Sequence, residues 1–307
     1  MPSVSIGVSL SSFLGGSGFF NPGFLAPYEW LDASDNGPGG SIADTAGAVD
    51  TFRDLYSNGV VYSGSGAARP TTGVDTLNGR NLITSDGADI LTTPFSVLPH
   101  DHTGSFSLVF AGIIQNDSGY LKAYDADNAS QGTGLFFDAN DSRVYLTNGN
   151  VSGGFAYVDV PVGTPIILIC NYVAGAVTWW LNGEQAGVSQ GTYTFAAPNS
   201  SAALFGRATS SAAVTRGTGS WAEGGATPLL TEQQRTDLTE YLASPERWNL
   251  SGISLASQTL SMPYDTEAGE QFGQIVLQYG PVLPKPQTSL TIPTTYAPND
   301  SIGSVYL

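Results

Sequence analysis

Cysteine is nearly absent from these 307 residues, and lysine is almost as scarce. Cys170 stands alone, so no disulfide within the chain and no all-cysteine metal site can form. It sits in an apolar run, residues 166–170, where a thiol reads as buried and inert. Lys122 and Lys285 are the only lysines, and ten basic residues face 26 acids, a net charge of −16. That balance excludes a nucleic-acid partner held through its phosphates, because such binding needs cations to displace counterions. An anionic lipid surface is excluded for the same reason. At 12% charged residues the chain is also too lightly charged for a salt-adapted acidic protein. No apolar run approaches the roughly 18 residues of a membrane span. Residues 1–6 carry no Lys or Arg ahead of the first apolar stretch, so no secretory signal is read there.

What the chain does have is 41% apolar residues, enough for a real core, and 38 Gly with 18 Pro. Much Gly, Ser, Thr and Asn with few charges suits short strands joined by turns. Composition separates three zones. Residues 1–25 hold an alternating strand, Val4-Ser5-Ile6-Gly7-Val8-Ser9-Leu10, then a Gly/Phe-rich stretch. Residues 26–250 form the main body. Residues 251–307 again favour strands but carry Pro281, Pro284, Pro286, Pro293 and Pro298, which restricts that part to edge strands or an extended arm.

Within the body, Phe106–Ile114 is an apolar strand bounded by turn residues. Pro165–Val173 and Ala176–Leu181 predict a hairpin across Ala174-Gly175, and Asn182-Gly183 supplies a second tight turn. Alternation in Ala176–Leu181 puts Val177, Trp179 and Leu181 on one face, read as core, with Thr178 and Trp180 on the other. One helix is predicted: Thr231 and Gln234 form a capping box, Leu238, Tyr241 and Leu242 follow at helical spacing, and Pro245 marks the stop. A mostly β chain with one late helix predicts an all-β, two-sheet antiparallel sandwich flanked by terminal strand-like arms.

An ordered series of motifs then resembles one family. Trp30-Leu31-Asp32-Ala33-Ser34-Asp35 is similar to the opening of laminin-G-like, concanavalin-A-like jelly-roll domains. Thr51-Phe52-Arg53-Asp54-Leu55 with Asn58-Gly59 resembles the stretch that follows, with Phe52 where the family has Trp. Arg69-Pro70, Asn78-Gly79, the run Ser85-Asp86-Gly87-Ala88-Asp89-Ile90-Leu91, the Phe106 strand, Trp180-Leu181-Asn182-Gly183 and the helix at 230–242 continue the series in order. The resemblance covers roughly residues 28–250 and implies a jelly roll with Trp30 and Leu91 packed inside. It implies no single function, since this fold carries lectins, hydrolases, adhesion modules and virion parts.

Several constellations could carry chemistry. None of the eight glutamates lies in the closely spaced carboxylate motif that the superfamily's hydrolases use for acid and nucleophile. His100-Asp101-His102 holds both histidines and reads as a polar loop or as part of a metal site, while a Ser-His-Asp arrangement lacks a G-x-S-x-G elbow ahead of a helix. Tyr124, Asp125, Asp127 and Asn128 cluster oxygen ligands. They read as a solvated loop or as a sugar-contacting rim, with Asp125 and Asp127 the candidate ligands for Ca²⁺, the one cofactor considered. Trp180 either stacks a sugar on the sheet face or packs under the helix or a terminal segment.

Together these features predict a non-enzymatic virion structural protein, a phage head or tail decoration or appendage assembled in the host cytoplasm. It would form a homo-oligomer, meet other virion proteins through residues 1–25 and 251–307, and present a lectin-like jelly roll to host surface polysaccharide. The alternatives are a bacterial carbohydrate-binding or adhesin module acting outside the cell, and a glycoside hydrolase.

Overall fold

The computed structural model describes residues 20–34, 40–56, 59–94, 97–98, 104–124, 133–148, 156–188, 201–206 and 216–250, with the backbone of 259–262 and 273–276. It divides into two compact units, Met1–Leu255 and Ala256–Leu307. The first contains β1 (Glu29–Asp32), β2 (Ile42–Thr45), β3 (Ala48–Arg53), β4 (Val61–Ser63), β5 (Thr71–Leu77), β6 (Arg80–Asp86), β7 (Leu91–Thr93), β8 (Phe106–Ile114) and β9 (Gly119–Ala123). It continues with β10 (Thr133–Asp138), β11 (Arg143–Asn148), β12 (Tyr157–Asp159), β13 (Pro165–Val173), β14 (Ala176–Leu181), β15 (Glu184–Val188), β16 (Ala202–Leu204), β17 (Thr218–Pro228) and helix α1 (Glu232–Ala243). In the second unit β18 (Thr259–Met262) and β19 (Gly273–Val276) pair with each other as a two-stranded sheet.

Every pairing between named strands is antiparallel, and the pairings resolve into two layers. The first runs β5-β6-β17-β8-β13-β14-β15. β1 extends the β6 side of β17, taking Glu223 to Ala226 where β6 takes Thr218 to Trp221. The second runs β2-β3-β4-β7-β16-β9-β10-β11-β12. Among the described residues the strand pair Ala48↔Thr71 joins them, and Tyr120 on β9 also bridges Arg216 just ahead of β17, so the two sheets of the sandwich form one hydrogen-bonded network.

β8 and β13, central in the first layer, are buried on both faces, which is why they read as largely apolar runs. Along β13, Ile166, Leu168 and Cys170 face the space between the layers, while Ile167 and Ile169 face outward. The inner core joins Leu108, Phe110, Trp179 and Trp221 of the first layer to Phe52, Tyr62, Leu91, Phe137 and Leu146 of the second. Trp179 is fully buried there and Trp180 points to the opposite face, as the alternation requires. Leu91 lies inside as expected. Trp30 is also fully buried, but on the outer side of the first layer, in a second core with Leu82, Val109, Leu238, Leu242 and Trp248. The phase of β1 decides this: Leu31 faces inward, so Trp30 cannot.

Local chemistry sets the punctuation. Ala174-Gly175 and Asn182-Gly183 turn their hairpins with positive φ at both positions, 47° and 94° in the first and 53° and 89° in the second. The Thr231 hydroxyl accepts from the Gln234 amide, and the Gln234 side chain accepts from the Thr231 amide, closing the capping box of α1. The helix ends at Ser244, extended in conformation ahead of Pro245.

Candidate functional site

Asp125, Asp127 and Asn128 lie outside the described residues, as do His100, Asp101 and His102. Tyr124 is fully buried and faces the inner core. A register shift opposite the Leu135/Phe136 step pairs Tyr120 with Phe136 but Lys122 with Leu135, so Leu121 is the extra residue of a β-bulge. The bulge flips the phase of β9 and turns Tyr124 inward, which leaves its ring no surface for a glycan. Burial pushes its hydroxyl well above the ordinary tyrosine range. Trp180 is half-buried in the second core, with the Arg235 guanidinium of α1 4.0 Å from the ring centroid. Packing under the helix is therefore the arrangement this ring adopts. Among the described residues no group of three or more His, Cys, Asp or Glu is placed to hold a metal ion.

The outer face of the first layer is closed by α1 and the segment after it, and a charged cluster holds the closure. Arg247 places one guanidinium nitrogen on Asp32, at 2.6 Å, and on Glu223. Glu223 Oε1 also accepts from Trp30 Nε1 at 2.9 Å and from the Tyr241 hydroxyl at 3.0 Å, and Oε2 from Trp248 Nε1 at 2.9 Å. Burial, then the neighbouring Asp32 charge, raises the Glu223 carboxyl above its ordinary value. Both its oxygens are thus committed to protein donors.

The outer face of the second layer is built differently, in three rows that cross the strands. One row is small: Ser63, Thr92, Ala203, Ala123, Gly134 and Thr147 are successive direct partners on β4, β7, β16, β9, β10 and β11. A Cβ on Gly134 would sit 2.7 Å from the Lys122 carbonyl oxygen, so only glycine fits there. Beside it runs an aromatic row, Tyr120, Phe136, Tyr145 and Tyr157, again direct partners on β9 to β12. Tyr120 and Phe136 meet edge to face with centroids 5.1 Å apart and are buried, whereas Tyr145 and Tyr157, 5.7 Å apart, keep exposed surface. The third row is charged, Asp138, Arg143 and Asp159.

Arg143 organises the exposed end of these rows. Its guanidinium lies 4.2 Å from the Tyr157 centroid, donates to Asp159 at 2.7 Å and reaches Asp141 at 3.5 Å. The Tyr145 hydroxyl donates to the same Asp141 oxygen at 3.2 Å. The hydrogen bond to Asp159, chiefly, raises Arg143 above the ordinary guanidinium value, and burial raises the Tyr145 hydroxyl. The edge therefore offers part of two mutually tilted rings, Tyr157 with Arg143 already against it, together with acceptor oxygens that solvent reaches and a fixed cation paired on both sides. Sequence reading singled out none of Arg143, Tyr145 and Tyr157. Alternation in Arg143-Val144-Tyr145-Leu146-Thr147 gives each residue's face, but nothing local gives the register that lines the rings up.

No protein-family model matches the chain, and no curated protein matches it. Among solved structures it is similar to Trypanosoma rangeli sialidase in complex with sialic acid, with 13% identity and a TM-score of 0.47 over 71% of this chain and 33% of that one. It is also similar to the Ruminococcus gnavus IT-sialidase CBM40 bound to α2,3-sialyllactose, with 13% identity and a TM-score of 0.38 over 45% of this chain and 83% of that one. The chain spans about a third of the length of the sialidase.

Proposed function

We propose that the sandwich is a non-catalytic carbohydrate-binding module whose ligand is a neutral polysaccharide held at the Arg143–Tyr145–Tyr157 edge. The observation that carries this reading is the aromatic row aligned beside a row of small side chains, with charged groups closing its end. Flat ring surface takes the apolar face of a sugar, and Asp141, Asp159 and Arg143 meet its hydroxyls. A neutral ligand suits the electrostatics. The chain carries −16, and Arg143, the one cation at this edge among the described residues, is already paired with two carboxylates, so an acidic sugar would meet repulsion. Two facts speak for binding without turnover: Glu223 has both oxygens filled by protein donors, and Asp159 and Asp141 are held by Arg143. A screen of neutral and acidic oligosaccharides tests the reading. Neutral glycans should bind and Tyr157→Ala should lose them; a preference for sialylated or uronic-acid glycans would refute it.

The finer reading, a virion appendage carrying this module, draws on the second unit. β18 and β19 pair only with each other among the described residues, and an isolated two-stranded hairpin is marginal in water. Strands of this kind suit addition to another chain, so residues 251–307, with 1–25, are proposed to engage neighbouring virion proteins. Deletion of 251–307 should leave a folded sandwich that no longer joins particles; truncated protein that still assembles at normal occupancy refutes it.

A further inference from the structure

One of only two lysines in the chain is sealed inside the sandwich. Lys122 on β9 and Glu29 on β1 are both fully buried, with Nζ 2.7 Å from Glu29 Oε1. That close approach is not a well-formed hydrogen bond, since Oε1 receives none among the described residues. Tyr62 joins the two groups by the other route. Its hydroxyl accepts from Lys122 Nζ at 2.6 Å and donates to Glu29 Oε2. The rings of Tyr62 and Tyr124 wall the amine, with centroids 3.9 and 5.2 Å from Nζ.

Ions are costly in such a place, and burial lowers the Lys122 amine below its ordinary value. A well-oriented pair held in contact can reach effective molarities of roughly 10⁵–10⁸ M. From this geometry we infer that Lys122 and Glu29 condense into an intramolecular amide that cross-links the two layers through β1 and β9. The steps balance without any co-reactant. The ammonium gives a proton to the Tyr62 oxygen as the Tyr62 hydroxyl passes its own to Glu29 Oε2, leaving a neutral amine, a neutral carboxylic acid and an unchanged tyrosine. The amine lone pair then attacks Glu29 Cδ and forms the C–N bond. A second amine proton moves to the departing hydroxyl, the C–O bond breaks, and one water leaves. Nothing is oxidised or reduced, and two buried charges disappear. In a chain that cannot form a disulfide, the product is a covalent staple between the sheets. The inference stands independently of any glycan.

Intact-mass measurement of the full chain tests it. The wild type should weigh one water less than its sequence, allowing for removal of Met1. Proteolysis should release the peptide around Lys122, uncleaved at that lysine, joined to the peptide around Glu29. Lys122→Met should show its full sequence mass, and Tyr62→Phe, lacking the proton relay, should accumulate the unlinked form. A wild-type mass equal to the sequence mass overturns the inference, and so does a water loss that maps elsewhere, such as a succinimide at Asp86-Gly87.

Discussion

The two outer faces of this sandwich have been finished in opposite ways. On the first layer, Trp30, Val109, Ala111, Ile167 and Ile169 form an apolar surface covered by α1 and residues 244–250, with Asp32, Glu223 and Arg247 as its charged clasp. On the second layer no helix covers the rows of small, aromatic and charged side chains among the described residues, and Tyr145, Tyr157 and Arg143 keep contact with solvent. One face devotes its aromatic rings and its ion pairs to closure. The other has the same kinds of groups left available to a partner. The distinction lies in placement: an arginine sits beside an aromatic ring on each side, Arg235 on Trp180 and Arg143 on Tyr157.

If that division is right, substitutions on the two faces should separate stability from binding. The largest stability loss should come from Arg247→Met, which leaves Glu223 and Asp32 in the interior without their cation. Breaking a buried pair of this kind costs about 3–5 kcal/mol, read as a fall in the urea midpoint, and a midpoint unchanged within error would undo the clasp. Trp179→Ala, in the core between the layers, should cost a similar amount, about 3–5 kcal/mol. Tyr157→Ala, at the edge of the second layer, should cost less than the core changes, about 1 kcal/mol, while weakening glycan binding at least tenfold, or about 1.4 kcal/mol.

Much of the fold beneath this division was legible in the sequence, because it depends on local signals. Alternation separated Trp179 from Trp180, Ala174-Gly175 and Asn182-Gly183 set the hairpins, and Thr231 with Gln234 began the one helix. What alternation cannot carry is phase across a bulge. Leu121 adds one residue to β9, and that single step takes Tyr124 from the outer face to the core. Nor can it carry alignment between strands: the aromatic row needs β9, β10, β11 and β12 in one register, and no residue advertises it. Arg247 lies beyond the helix in Pro245-Glu246-Arg247-Trp248, with no motif to link it to Asp32, 215 positions earlier. Glu29 and Lys122 met only through the stacking of two layers.

Smaller effects sharpen the same contrast. Thr231→Ala removes the helix cap and should cost about 1 kcal/mol, loosening the cover of the first layer without touching the second. Half-buried Glu240 on α1 is pushed up to about 7, first by burial and then by Asp237. Its folded carboxyl therefore holds its proton more tightly than the unfolded one, and this stabilising contribution is full below pH 4.5 and lost as pH rises through 7. Because the group is partly solvated, the gain on moving from pH 8 to pH 5 should be small, roughly 2 °C in Tm. The difference should vanish in Glu240→Gln; an equal response in that variant would assign it to other groups.

The division of labour itself is tested most directly by titrating one neutral oligosaccharide, chosen from the screen, into three proteins side by side: wild type, Tyr157→Ala and Trp180→Ala. Binding that survives Trp180→Ala within about twofold, and falls at least tenfold in Tyr157→Ala, is the result expected if the second layer's outer face holds the glycan. Binding lost with Trp180 and kept without the Tyr157 ring would place the ligand on the helix-covered face and contradict the account.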